Sequence, residues 1–499
     1  MLPSLRVRVA LLCFSTLFST ALLADDDDTR LLLNKIDRGA DARERANLGA
    51  PDPAENDDSL ITIEGQTYSL QNTLEDLGPA IYVSINLQQW GKVRQFVERY
   101  RQLPGHEPAL VEMAEGLIDR SERKYKQAIA HLRRADELQP GFVRARLELA
   151  RTLFEDSQTR EAEALFAEVA ASDVPEQVLS VLGEYRKGID MRRQWHGSVS
   201  LGFGHNSNIN QGNGMTTVTQ VCSVFFDCFD YTRQMPKPIG SSSVVYDAAA
   251  ERRLQISGNH HVLVRGLTYG NNYDRYNDDE ENDTKTWYDD NTSVLYAGYN
   301  YQSALNDVSL TPLFENYYAD HHTKYEASGV RGEWKHNLTN RLQVSVQAQH
   351  KHFRFQGEQR EYFDDYDERQ AGMSLSYLLD PQTLVFGGVT YTRRSQDADT
   401  ASNREYMGSL GAYHSFDIGV NLSLIGLYRT TRYDEPDVFL GGLRKDRQQI
   451  YIANLSVPRL AFAGVVPSLY AKRTVTDSSI DWAYSYRQTE VALKFEKTF

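Results

Sequence analysis

The chain has 499 residues, 41% of them hydrophobic, with a formal net charge of -14 and a mean hydropathy of -0.53. The length leaves room for two or more domains, the low hydropathy excludes a bundle of membrane-spanning helices, and the acid excess argues against nucleic acid as a partner. A membrane β-barrel escapes that exclusion because its apolar residues occupy alternate positions, and the 29 tyrosines suit membrane interfaces.

Arg6 and Arg8 precede an apolar run over residues 9–23, and Ala24 offers a small residue before Asp25, so residues 1–24 read as a cleavable secretory signal. Cys13 raises the alternative of a lipoprotein signal, but Leu12 stands where a small residue is expected and cleavage there would split the apolar run. Removing the signal leaves Cys222 and Cys228, which read as one disulfide across a short loop of a secreted chain. A metal pair is the rival, without a His or third Cys at zinc spacing to support it. Residues 25–76 read as a polar leader, with the runs DDDD and PDPAENDD and little that forms a core. Within it Leu31, Leu32, Leu33 and Ile36 suit a short amphipathic helix or a docking peptide, a flexible leader being the plainer reading.

Residues 77–194 show helix period, punctuated by Pro104, Pro108, Pro140 and Pro175. Two stretches superpose at an offset of about 34 residues, the tetratricopeptide period. Gly116, Ala128, Leu132, Ala135 and Pro140 stand in the first, and Ala150, Ala162, Phe166 and Val169 occupy equivalent places in the second. Gly116 and Ala150 let one helix approach its partner, and Ala128 and Ala162 sit where the pair crosses. Residues 82–104 read as a degenerate repeat or cap. Such solenoids bind extended peptides, and the face expected to do so carries Leu110, Met113, Leu117 and Arg120, then Arg144, Leu147, Arg151 and Phe154. The alternative for the arginines is a solvated face.

From residue 195 to 499 the period becomes two. Trp195, Val199, Leu201 and Phe203 alternate with small or polar residues, and further alternating segments follow, which predicts about 14 antiparallel strands of a transmembrane barrel. The last of them ends with Val491, Leu493, Phe495 and Phe499 on one face, only Lys497 out of pattern, and Glu490, Lys494 and Glu496 on the other. An even count puts both barrel ends, and the helical domain, on the periplasmic side, with long acidic segments at 277–285 and 357–368 outside. A first long loop, residues 212–240, holds both cysteines. The fold class is therefore helical repeats joined to a membrane β-barrel.

The first strand ends GFGHNSNINQ, residues 202–211, directly after helical repeats. This arrangement resembles the surface lipoprotein assembly modulator (Slam) family over most of the chain, from about Leu77 to Phe499. The resemblance implies an outer-membrane translocator of a Gram-negative cell that delivers lipoproteins, or related secreted proteins, from periplasm to cell surface. The partners it implies are cargo lipoproteins, outer-membrane lipid, periplasmic chaperones and the barrel-insertion machinery. On the residues themselves, Gly202, Gly204, Asn206, Asn208, Asn210 and Gln211 mark either a weak seam against the last strand, open to lateral exit, or tight strand curvature and a loop start. Asn206, Asn208 and Asn210 are expected on one face, with amides free to bind a passing chain or neighbouring strands. The pairs His260/His261, His321/His322 and His350/His352 lack a carboxylate at metal spacing. No catalytic motif stands out, so an enzyme, a metal and a cofactor are not expected. Two other readings stay open: a polysaccharide export porin, and a host-interaction surface protein acting through its acidic loops.

Overall fold

The computed structural model describes residues 60–63, 66–223, 226–279, 284–437 and 440–499. The expected signal 1–24 and most of the expected leader lie outside the described residues. Regular structure begins before residue 77, with a hairpin of β1 (Leu60–Ile63) and β2 (Gln66–Ser69). Its segments LITI and QTYS are rich in strand formers, unlike the acidic runs before them.

Seven helices follow: α1 (Leu74–Asn86), α2 (Trp90–Arg101), α3 (Pro108–Ser121), α4 (Tyr125–Leu138), α5 (Val143–Glu155), α6 (Thr159–Ala170) and α7 (Glu176–Arg193). Thr73 starts the series, its hydroxyl accepting the Asp76 N–H at 3.3 Å. The backbone carries the repeat. Gln88, Arg123 and Ser157 take positive φ of 58°, 65° and 65° in the turns within the pairs α1–α2, α3–α4 and α5–α6. Gly105 and Gly141 do so in the turns between pairs. The segment expected as a degenerate repeat is thus part of a complete helical pair. Gly116 is required for closure of its pair, because a Cβ there would lie 2.8 Å from Leu132 Cγ and 3.1 Å from the Ala128 carbonyl. Ala128, Leu132, Ala150, Ala162 and Val169 are fully buried alongside it.

At His196 the side-chain period becomes two. The barrel strands are β3 (His196–Asn206), β6 (Ser241–Ser257), β7 (His260–Tyr273), β10 (Asp290–Gln302), β11 (Asn306–Ala319), β12 (His322–Asn337) and β13 (Leu342–Phe355), then β14 (Tyr366–Asp380), β15 (Thr383–Ser395), β16 (Asn403–Phe416), β17 (Val420–Tyr433), β18 (Lys445–Ser456), β19 (Val465–Ser478) and β20 (Tyr486–Thr498). They close in sequence order into one antiparallel 14-stranded barrel, β20 pairing back onto β3. Two hairpins, β4 (Thr216–Ser223) with β5 (Phe226–Gln234) and β8 (Tyr276–Asp279) with β9 (Thr284–Trp287), decorate the end away from the helices. A short helix, α8 (Asp481–Tyr484), precedes β20.

Alternation sorts the side chains. On β3, Val199, Leu201 and Phe203 are exposed while Ser198 and Ser200 are buried in the lumen. On β20, Val491, Leu493 and Phe495 are exposed on the same outer band. Such a continuous apolar surface is unfavourable in water and matches hydrocarbon. Among the described residues no helix is long and apolar enough to cross a membrane, so strands make the crossing.

Candidate functional site: helical face, lumen and closing seam

The helical face differs from the expected peptide groove. Leu110, Met113, Leu117 and Leu147 are 2%, 0%, 2% and 5% exposed and belong to the domain core, so they are not ligand-facing. With few helical pairs, the apolar side of each first helix is consumed by packing against its neighbours. The polar members do converge. Arg120 Nη1, Arg144 Nε and Arg151 Nη1 reach Glu148 at 3.0, 2.9 and 3.1 Å. Arg120 also pairs with Glu155, and Arg144 donates to Asn86 Oδ1 at 3.1 Å. The two glutamates hold the Arg120 guanidinium above its ordinary range against the opposing effect of burial. Phe154 is covered by α7, with Arg192 3.6 Å from its ring centroid and Tyr185 in edge contact. Glu148, which the sequence reading passed over, lies four residues after Arg144 and three before Arg151, the spacing of a helical ion-pair cluster.

The helical domain sits on three successive turns of the barrel. Asp156 accepts from Asn259 Nδ2 at 3.3 Å and from the Ala304 N–H at 3.1 Å. Arg160 donates to the Ile256 carbonyl at 3.0 Å, and Arg123 to the carbonyls of Leu338 and Asn337. These are the turns β6–β7, β10–β11 and β12–β13, so the domain is fixed beneath one side of the mouth.

Inside the barrel, charge is paired along the wall. Lys351 Nζ lies 2.6 Å from Glu315 Oε2. Glu368, Arg394, Glu405 and Arg429 then alternate on β14 to β17, at 2.9, 3.9 and 3.2 Å, and Arg429 continues to Gln448 Oε1 at 2.9 Å. Along this ladder each charge removed from water is met by an opposite one, whereas the buried Arg331 is held by the side-chain carbonyls of Gln347 and Gln349. A second cluster, of Arg265, Arg253 and Lys335 with Glu251, Glu333 and Asp307, lies towards the helical end. Below the ladder, on β15 to β18, Phe386, Met407, Ile425, Leu427, Ile450 and Ile452 pack together. Near the far end Tyr317, Tyr325, Phe353 and Phe355 form an aromatic cluster joined by Phe363 of the following loop.

The β20–β3 seam has the shortest ladder of the barrel, nine register pairs, extended by reciprocal hydrogen bonds of 2.9 Å between Gly197 and Phe499. Gly204 makes the approach close, since a Cβ there would stand 2.3 Å from the Val491 carbonyl, and Gly202 faces Lys494 in the same way. β3 ends at Asn206, so the three asparagines do not share one strand face. Asn206 donates to Tyr273 OH at 3.1 Å, and Asn210 donates to the Lys237 carbonyl at 2.9 Å. Asn208 crosses the seam to the Arg487 carbonyl at 2.9 Å while also donating to the Gly212 carbonyl. Gln211 takes a positive φ of 51° in the turn. Asn213, missed in the sequence although it continues the asparagine run, donates to the carbonyls of Trp482 and Ser485 at 2.9 and 3.0 Å. The Thr489 N–H donates to Ser207 Oγ at 2.9 Å. Here the amides serve neighbouring strands.

Cys222 and Cys228 fall at the irregular end of the β4–β5 hairpin, where the register shifts between Val221 and Ser223. The expected disulfide involves a Cys222 side chain outside the described residues. Among the histidines, His352 Nδ1 lies 3.0 Å from Asp367 Oδ1 and His260 Nδ1 lies 2.6 Å from Tyr299 OH. Among the described residues no three His, Cys, Asp or Glu gather as metal ligands.

Residues 195–499 match the family model described as surface lipoprotein assembly modifier, and residues 63–166 match that of its N-terminal TPR repeats. The chain is 29% identical to the hemophilin secretion modulator of Acinetobacter baumannii, over 99% of this chain and 100% of that protein. It is 23% identical to surface lipoprotein assembly modifiers 2 and 1 of Neisseria meningitidis serogroup B. Those matches cover 83% and 88% of this chain and 85% and 86% of the relatives.

Proposed function

The chain belongs to the surface lipoprotein assembly modifier family, and from that premise we propose that it carries lipoproteins, or related secreted proteins such as a hemophilin, from the periplasm to the cell surface. It is a Gram-negative outer-membrane barrel with its helical domain in the periplasm. The observation that supports the reading best is the attachment of that domain to three successive periplasmic turns, which holds a polypeptide-binding fold at the entrance of the barrel. Arg144 and Arg151, partly exposed beside Glu148, offer the cationic contact for an acidic cargo segment. Periplasmic chaperones deliver the cargo, and the barrel-insertion machinery installs the protein. A disulfide between Cys222 and Cys228 pins the tip of the first extracellular hairpin.

Co-expression with lipoproteins encoded nearby tests this: surface labelling of intact cells should detect a lipoprotein exposed only when the protein is present. Polymer secretion with no lipoprotein exposed would instead favour a polysaccharide porin. Deleting residues 357–368 should leave export intact, whereas a host-interaction protein acting through its loops would lose function.

The exit is assigned to the β3–β20 seam. Its ladder is the shortest, and beyond the backbone bond from Ser207 N–H to the Thr489 carbonyl its extracellular end is held by the side chains of Asn208, Asn213 and Ser207, which can release without unravelling either strand. Ser200 and Glu496 face one another across it. Oxidising the pair Ser200→Cys and Glu496→Cys should stop surface display, while the equivalent pair Ser345→Cys and Ser374→Cys between β13 and β14 should not. Undiminished display with the seam locked would move the exit into the lumen.

A further inference from the structure

One half of the barrel carries a collar of outward arginines at its extracellular end. Arg369, Arg404, Arg432, Arg447, Arg473 and Arg487 stand on β14 and on β16 to β20, each exposed and each on the lipid-facing side of its strand. The alternation is unambiguous because their neighbours Glu368, Glu405, Arg429 and Gln448 point into the lumen ladder. Below Arg404, Arg432 and Arg447, on the same outer face of their strands, lie Tyr406, Tyr428 and Tyr451, with Tyr391 beside Tyr406 (ring centroids 5.1 Å apart) and Arg473 opposite Tyr451. Tyrosines of this kind mark the edge of the hydrocarbon, which puts the arginines at the level of the outer-leaflet headgroups.

The other half is different. Near their extracellular ends β3, β6, β7, β10 and β11 present His205, Ser242, Asn272, Asn291 and Asn316, and the outward Arg354 of β13 stands opposite Glu326 of β12. Nor is the collar consumed by ion pairs. Asp434 serves Arg393 and Arg404, and Arg473 donates to Thr489. Asp477 of β19 stands opposite Arg447 in register without an ion pair between them, while Asp367 faces His352. Among the described residues, Arg369, Arg432, Arg447 and Arg487 have no carboxylate within ion-pair distance.

We propose that this arc, from β14 to the seam, docks the bis-phosphorylated anionic glycolipid of the outer leaflet. Arg404 and Arg432 are direct partners on adjacent strands, about 5 Å apart along the sheet, and with Arg369 and Arg447 on either side they suit a headgroup bearing two phosphates and several acyl chains, with guanidinium forks on phosphate oxygens and chains against the apolar band. A phospholipid offers one phosphate and meets fewer of them. The arc stops at β20, so glycolipid is held on one side of the seam and not on the β3 side.

The test uses the full chain purified in mild detergent, with bound lipid counted by native mass spectrometry against added bis-phosphorylated lipid A, mono-phosphorylated lipid A or phosphatidylglycerol. The wild-type protein should prefer bis-phosphorylated lipid A over either competitor by at least about fivefold. Combining Arg369→Gln, Arg404→Gln, Arg432→Gln and Arg447→Gln should weaken that binding by at least about tenfold, with folding verified by heat-modifiable gel migration. Equal binding of phosphatidylglycerol, or unchanged lipid A binding by the folded variant, would overturn the proposal. The comparison of the three lipids on the wild-type protein decides the matter even if the variant fails to fold.

Discussion

In the helical domain three arginines, Arg120, Arg144 and Arg151, share two glutamates, whereas on the barrel wall Glu368, Arg394, Glu405 and Arg429 alternate one for one. The first arrangement leaves cationic capacity at a partly exposed face; the second is closed on itself. Unspent charge therefore lies on the helical face, and the ladder of the lumen wall keeps its own ions satisfied. Covalent geometry explains part of the contrast. A strand delivers one inward residue per two positions, so neighbours on adjacent strands fall into register, while a helix face gathers charges from one element at three- and four-residue spacing.

The comparison can be broken first at the seam. Gly204→Val should prevent closure of the barrel, because its side chain must enter the space of the Val491 carbonyl and Ala492, and the protein should lose heat-modifiable migration altogether. Gly408→Ala, where a Cβ meets nothing within 4 Å, should migrate as wild type. Next in size, Glu148→Ala leaves its arginines facing one another in a partly buried cluster and should destabilise the helical domain by about 3–5 kcal/mol, measured by thermal unfolding. Asp156→Ala removes the carboxylate that accepts from two barrel turns and should weaken docking by about 1.5–3 kcal/mol, read as faster hydrogen exchange of the Ala304 amide with the barrel itself intact. Smallest, Arg144→Gln should reduce surface display about two- to tenfold without changing domain stability by more than about 0.5–1 kcal/mol, since the side chain is partly exposed. A large stability loss there would make Arg144 a structural cation and remove the distinction between the two regions.

Much of the barrel was legible because alternation declares both the element and the face. Val199, Leu201 and Phe203 could be assigned outward from sequence, and the even strand count followed from repeating that reading. The helical face was legible only in part. Leu110, Met113, Leu117 and Leu147 have the same apolar chemistry whether they line a groove or fill a core, and periodicity near 3.6 does not say which side of a helix meets a neighbour. The asparagine run was visible, but its use was not: Asn208 and Asn213 find acceptors about 280 and 270 residues away in sequence.

The amino-acid order alone determined the class of structure, a helical repeat domain joined to an antiparallel membrane barrel, because local period and turn chemistry are properties of neighbouring residues. Only the closed tertiary structure decided which residues meet: the docking of Asp156 and Arg160 onto barrel turns, the conversion of an expected ligand face into core, and the assembly of single arginines from successive strands into a one-sided collar. Those outcomes depend on closure, which brings together groups that no local pattern links, and on the competition of every apolar side chain for the same buried volume.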